Sequence, residues 1–257
     1  DRPLDPESAL RDDDGDGEPD AVALDLPHVQ LYNFPTAWRT GPQAEHGHRH
    51  QVSVEGQPIP ALEDYDALWV MGGPMDVWDV VEHPWLRAEK RAIRRFVREL
   101  GRPYLGICLG HQLLADALGG TCGPQRPPEI GILDVELTAA AVSDPVFAEL
   151  PRQQKALQWH SVRVAEPPEG AIVLASSPAC RVQAMRVGRH AWSMQYHVEI
   201  EPDTVGNWGA IPAYRVALAA TLGEGALAAL KARTDAEMSG FPAASERLYR
   251  NFMAAIR

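Results

Sequence analysis

Short apolar runs alternate along the chain with stretches whose apolar residues recur every three or four positions, and several of the runs end in glycine. That alternation predicts strands feeding helices, the pattern of an α/β protein. Ala67, Leu68, Trp69, Val70 and Met71 form an unbroken apolar run, as in a strand buried on both faces, and Gly72-Gly73-Pro74 stops it. Between Trp85 and Leu100 the apolar Leu86, Ile93, Phe96, Val97 and Leu100 fall at helical spacing among Arg, Lys and Glu, with Gly101 as a stop. Residues 103–107 then predict a second buried strand, 112–118 a helix, and Gly119-Gly120 its terminator. Strand, helix, strand, helix in that order implies parallel crossovers. Further strands are expected at 51–54, 132–137, 172–175, 182–186 and 191–196, and helices at 213–222, 225–233 and 243–256. No repeat or composition break divides the chain, so residues 1–257 are expected to form a single domain.

Composition narrows the class of protein. The 257 residues are 45% hydrophobic and 23% charged, which suits a folded domain and excludes disordered or fibrous chains. A formal charge of −11 opposes the electrostatic attraction on which nucleic-acid binding depends, so neither nucleic acid nor an anionic membrane is expected as a partner. No apolar run approaches the roughly 18 to 20 residues that span a bilayer, and the acidic start lacks the pattern of a signal peptide. The chain therefore reads as soluble and cytoplasmic. Three cysteines without a Cys-x-x-Cys pair suggest neither a disulfide framework nor a zinc site.

Two segments carry partial metal patterns. Asp12, Asp14, Asp16 and Gly17 are spaced like the first half of a calcium loop, but Ala23 stands where the closing glutamate belongs. His46, His48 and His50 alternate without a carboxylate at ligand spacing. Both read as surface loops, and no metal and no cofactor is expected.

The chemistry concentrates at Tyr104-Leu105-Gly106-Ile107-Cys108-Leu109-Gly110-His111-Gln112, where Cys108 stands between two glycines as a strand gives way to a helix. This is the thiol counterpart of the Gly-x-Ser-x-Gly nucleophile elbow. A sharp turn exposes the sulfur, the glycines remove side chains that would strike neighbouring backbone, and the helix N-terminus favours a thiolate. A base must come from elsewhere in the chain. Gln195-Tyr196-His197-Val198-Glu199 supplies one at the end of an apolar segment, and in an extended chain His197 and Glu199 share a face. Glu199 would orient the imidazole, while His197 takes the thiol proton and later hands it to a leaving amine. His111 sits near the cysteine in sequence but is expected to point elsewhere on the helix and to stay outside the triad. Cys122 and Cys180 lie in no comparable turn and read as small buried side chains.

These blocks, with Gly72-Gly73-Pro74-Met75 and Gln158-Trp159-His160, resemble the class I glutamine amidotransferases, and most of all their compact GMP-synthase-like members. The blocks occur in the family's order between about residues 50 and 200. The resemblance implies an open, mostly parallel sheet flanked by helices in a flavodoxin-like three-layer arrangement, with residues 1–50 divergent and 201–257 forming C-terminal helices. It also implies that Cys108 attacks the γ-carboxamide of glutamine, with His197 and Glu199 completing a triad and a γ-glutamyl thioester as intermediate. Backbone N–H groups of Gly72, Gly73 and Leu109 would hold the oxyanion, each such donor contributing about 2.7 to 4 kcal/mol. Gln112 would hydrogen-bond the substrate, and His160 and Ser161 would lie near its α-carboxylate and α-amino group. One departure is that Val198 stands where the family usually has proline.

Two modes of action stay open at the level of sequence. Ammonia from such a site normally passes to a synthetase, but the 57 residues after Ile200 are too few for one and no Gly-rich phosphate loop appears, so the acceptor would be a separate subunit. Otherwise the chain works alone as a hydrolase of γ-glutamyl peptides or amides. A catalytically silent interaction domain is a third reading, and it predicts loss of Cys108, His197 or Glu199, all of which are present.

Overall fold

The computed structural model describes residues 10–11, 21–22, 35–39, 49–52, 59 and 61–255. The acidic run at 12–20, His46, His48 and the side chain of His50 lie outside the described residues, and with them the calcium and histidine-trio patterns. Strands β1 (Leu10–Arg11) and β2 (Ala21–Val22) form a small antiparallel pair. The remaining described strands make one sheet: β3 (Pro35–Arg39), β4 (Arg49–Val52), β5 (Ala67–Val70), β6 (Tyr104–Ile107), β7 (Thr121–Leu137), β8 (Gln153–Glu166), β9 (Ala171–Ser176), β10 (Ala184–Val187) and β11 (Ala191–Met194). Their order across it is β4-β3-β5-β6-β11-β10-β9-β7-β8.

Helices flank this sheet, as an α/β chain requires, and the sheet itself is mixed. Among the described strands, parallel pairing is confined to β5–β6 and β6–β11. The flanks pair antiparallel. The division follows the connections, since parallel neighbours need a helical crossover while short turns return antiparallel. Helix α1 (Trp85–Arg94), prolonged by a wider turn at Arg95–Glu99, carries β5 over to β6. By contrast, β10 and β11 are joined by a turn through Gly188 at φ 61°.

The core has three parts. On one face α1 and α2 (Leu109–Ala117) pack Leu86, Ile93, Phe96, Leu113 and Leu114 against Leu68, Val70 and Tyr104. On the other, α3 (Ala139–Val142) and α7 (Phe241–Ala255) set Ala141, Leu248, Phe252 and Met253 against Ala67, Leu105, Ile107 and Trp192. Ala67 and Leu68 thus serve opposite faces of β5, which is why that strand reads as a continuous apolar run. A third cluster joins α4 (Thr204–Gly209), α5 (Pro212–Leu222) and α6 (Ala226–Glu237) to the long β7–β8 arm through Val205, Leu218, Leu230, Ile130, Ile132, Leu157 and Trp159. Each such fully buried Leu, Ile or Phe contributes about 1.5 to 3 kcal/mol.

The sequence reading misses β8 and the first half of β7. Gln153, Gln154, Lys155 and Ala156 have weak strand preference, and the alternation expected of a half-buried strand is interrupted. What makes them a strand is cross-strand pairing with β7, from Thr121 opposite Glu166 to Glu136 opposite Gln153. Helix α2 also begins at Leu109, three residues before its expected start. No described helix is long and apolar enough to cross a membrane.

Candidate active site

The carboxyl ends of β5, β6 and β11 lie side by side, and each hands the chain to a turn that carries a candidate residue: Gly72, Cys108 and His197. Ligands of open α/β sheets bind at such strand ends. Cys108 sits between the last residue of β6 and the first of α2 with φ 54° and ψ −105°, a conformation an L-residue adopts only at a cost of about 1 to 3 kcal/mol. Its backbone is held on both sides. The Cys108 N–H donates to the Met194 carbonyl (2.8 Å), and the Cys108 carbonyl accepts from His111 (3.0 Å) and Gln112 (3.2 Å).

The glycines around the cysteine are there for room. A Cβ on Gly106 would stand 2.6 Å from the Gly110 carbonyl oxygen, which itself accepts a hydrogen bond from the buried Tyr104 hydroxyl at 2.8 Å. A Cβ on Gly110 would stand 2.1 Å from the Val70 carbonyl oxygen. The thiol consequently rests at the N-terminus of a nine-residue helix, where unpaired N–H groups and the helix dipole favour a negative sulfur.

His197 is fixed by a two-way backbone bridge to Leu157 of β8, at 2.9 and 3.1 Å. Its Nδ1 lies 2.5 Å from Glu199 Oε1. Its Nε2 is buried within reach of the Cys108 thiol and has no aligned hydrogen-bond partner among the described residues. Burial would push this imidazole down. The charge of Glu199 and hydrogen bonding with Cys108 and Glu199 outweigh that and raise its pKa from 6.5 to about 10. The residue between the pair also has a role that proline could not fill, because the Val198 N–H donates to Glu199 Oε2 at 2.9 Å.

Gly72, just past the end of β5, adjoins both Cys108 and His197. A Cβ there would lie 3.2 Å from Cys108 Cβ and 3.2 Å from His197 Cε1. Gly73 lines the adjoining pocket together with Cys108, Gln112, His160 and Ser161. Leu109 is the first residue of α2, so its N–H has no acceptor within the helix. Gln112 reaches the pocket with its amide nitrogen already donating to Gln195 Oε1 (3.2 Å) and the Val162 carbonyl (3.4 Å). Gln195 in turn sends its amide toward Cys108 Sγ at 3.7 Å.

His160 belongs to β8, lines the pocket and has both ring nitrogens turned toward protein groups. Its Nδ1 donates to the Val162 carbonyl (2.8 Å), and its Nε2 stands 3.3 Å from Glu129 Oε2. Glu129, buried on β7, also accepts from Ser177 (2.8 Å) and Gln183 (3.0 Å). Burial would raise this carboxyl, but the hydrogen bonds from His160 and Ser177 prevail and hold it below the usual range. Ser161 is exposed at the pocket.

The other thiols and the neighbouring histidine behave differently. Burial pushes Cys122 up to about 12 and Cys180 up to about 11. His111 donates from Nε2 to the Val182 carbonyl (3.2 Å) and accepts at Nδ1 from Ser193 (2.8 Å), and burial lowers it to about 3. It is a neutral core residue. Among the described residues no group of three or more His, Cys, Asp or Glu could hold a metal ion.

Several lining residues escape a reading by motif. Trp208 of α4 packs edge-on to His197, with ring centroids 4.6 Å apart and planes at 69°. Ala213, Tyr214 and Ala217 of α5 close one side of the pocket, and Met75 and Asp76 another. Their only signal is membership of an apolar, Ala-rich helix or of a turn. The site as a whole presents a helix-terminal thiol, a buried imidazole oriented by a carboxylate, and backbone N–H groups near the sulfur, the parts needed for acyl transfer.

Comparison with known proteins agrees with this geometry. The profile of the family Glutamine amidotransferase class-I matches residues 44–207. A subunit of the glutamine-hydrolyzing GMP synthase of Saccharolobus solfataricus is 32% identical over 152 residues, covering 59% of this chain and 76% of that protein. The glutamine-hydrolyzing GMP synthase of Aeropyrum pernix is 36% identical over 206 residues, covering 73% of this chain and 37% of its own. Crystal structures of glutamine amidotransferases from Thermotoga maritima and Methylobacillus flagellatus share the fold, with TM-scores of 0.65 and 0.64 and 24% identity in each case. They cover 76% and 78% of this chain, and 81% of each of those chains. The chain belongs to the class-I glutamine amidotransferase family.

Proposed function

We propose that the chain hydrolyses the γ-amide of glutamine through Cys108, His197 and Glu199. The observation that carries this reading is a strained, helix-terminal cysteine placed beside an imidazole whose Nδ1 is held 2.5 Å from a carboxylate. Cys108 Sγ, its proton already held on His197 Nε2, bonds to the amide carbon. The oxyanion is held by N–H groups of the Gly72-Gly73 turn and of Leu109. His197 returns the proton to the amide nitrogen, the C–N bond breaks, and ammonia leaves a γ-glutamyl thioester. Water then gives a proton to His197 and attacks the thioester carbon; glutamate departs and the proton stays on His197.

The ammonia is destined for a separate synthetase subunit, a reading supported by relatives that are themselves named as single subunits of a glutamine-hydrolyzing GMP synthase. A second reading, direct hydrolysis of a substituted γ-glutamyl amide, is favoured by the apolar wall of Ile130, Trp159, Tyr214 and Ala217 in the pocket. Ammonia release from glutamine, compared with amine release from a panel of γ-glutamyl amides with no added protein, separates them. Cys108→Ala should abolish turnover and leave the folded chain intact. Unchanged turnover in that variant would remove Cys108 from the mechanism.

A further inference from the structure

The pocket beside Cys108 contains one carboxylate among its described lining residues, that of Asp76. The turn that carries it is rigid. Its neighbours Met75 and Val77 are 8% and 2% exposed and pin the backbone from either side. The turn is closed by reciprocal bonds: the Asp76 N–H donates to Asp79 Oδ2 (2.8 Å) and the Asp79 N–H to the Asp76 carbonyl (3.0 Å). Asp79 thus spends its carboxylate on holding the loop. Asp76 does not, and no donor among the described residues reaches its side chain.

A half-buried carboxylate without a cation is in an unfavourable state. Burial, and then the charge of Asp79, raise the Asp76 pKa above its ordinary value. The remaining described lining residues include no Lys or Arg, and His160 is turned onto Glu129 and the Val162 carbonyl rather than onto Asp76. A ligand that brings its own positive charge would relieve that state.

We infer that Asp76 is the residue that recognises the α-ammonium group of the substrate, so that the site takes free γ-glutamyl compounds and rejects those whose α-nitrogen is acylated or missing. This rests on the proposed function and specifies the substrate class of the same site. Ser161, exposed at the pocket, is left to face the α-carboxylate. Glutamine within a protein has lost its α-ammonium to a peptide bond, so the inference confines the enzyme to small amino-acid substrates.

The test pairs one side-chain change with one substrate change. Ammonia release from L-glutamine and from its des-amino analogue, glutaramic acid, is measured for the wild type, Asp76→Asn and Asp76→Glu. Alkylation of Cys108 by a diazoketone analogue of glutamine and by its des-amino counterpart is followed in parallel by intact mass. A charge-assisted hydrogen bond of this kind gives a preference of roughly 10- to 100-fold for the amino-bearing compound. The wild type should show that preference, Asp76→Asn should lose it through a raised KM for glutamine at little change in kcat, and Asp76→Glu should restore part of it. Rates for the des-amino compounds should not change. An undiminished preference in Asp76→Asn, an equal loss on both substrates, or no preference in the wild type would overturn the inference while leaving the triad standing. Failure of both probes to label wild-type Cys108 would overturn the proposed function, and this inference with it.

Discussion

Gly110 and the Val70 carbonyl are in such close contact that a single added methyl group at Gly110 would stand 2.1 Å from the oxygen. The N–H of Gly110 donates to the next carbonyl, that of Met71, at 3.2 Å. The first turn of the helix behind Cys108 is therefore pressed onto the end of β5, the strand that delivers Gly72 to the sulfur. Gly110→Ala must move one of them. Overpacking typically costs about 1 to 3 kcal/mol, and here the obstacle is backbone, which yields less than a side chain. Urea unfolding should give a loss at the upper end of that range, with a fall in thiol alkylation by iodoacetamide. Stability equal to the wild type would mean that the two segments are not in contact.

Glu199 governs the charge on His197, and pH reveals it. The folded-state pKa of His197 is raised from 6.5 to about 10, so its pairing contributes fully to stability below pH 6.5 and is lost as pH rises toward 10. Wild-type stability should therefore decline across that interval by more than that of Glu199→Gln, which starts lower. The same substitution should reduce kcat/KM by about 10² to 10⁴, the contribution of a well-placed acid–base group. Urea melts at pH 6.5, 8 and 10 check the sign, and a steeper decline in the variant would refute it.

Val198 allows a less obvious prediction. Replacing it with proline, the residue common in the family, removes the N–H that donates to Glu199 Oε2 at 2.9 Å. A hydrogen bond to a charged group is worth about 1.5 to 3 kcal/mol. Val198→Pro is expected to lower kcat by roughly 10-fold or more, with KM for glutamine little changed. Wild-type kcat in this variant would show that the carboxylate is held well enough by His197 alone.

Trp208 packs edge-on against the His197 imidazole. Aromatic pairs of this geometry contribute about 0.5 to 1.5 kcal/mol beyond their buried area, so Trp208→Leu should cost a few-fold in kcat and move the pH profile of turnover, because the ring it supports is the proposed proton carrier. A loss confined to thermal stability, with the pH profile intact, would reduce Trp208 to a packing residue.

The parts of this protein that are readable in its sequence are those written in short-range code. Gly106, Cys108 and Gly110 announce a strand-to-helix turn because only glycine tolerates the approach of the Gly110 and Val70 carbonyls. The unbroken apolar run at 67–71 announces a strand covered on both faces, and His197 and Glu199 need only local backbone to meet. Other features depend on partners far away in the chain. Strand β8 has little intrinsic preference for its conformation and acquires it by pairing with β7. Glu129 and His160 stand opposite each other only through that register, which sets a carboxylate behind the imidazole at the pocket wall. Trp208 reaches His197 because α4 folds back over the β7–β8 arm. Local sterics and periodicity thus determine the turn that presents the sulfur, whereas the walls of the pocket come from pairing and burial between segments whose sequences carry no mark of one another.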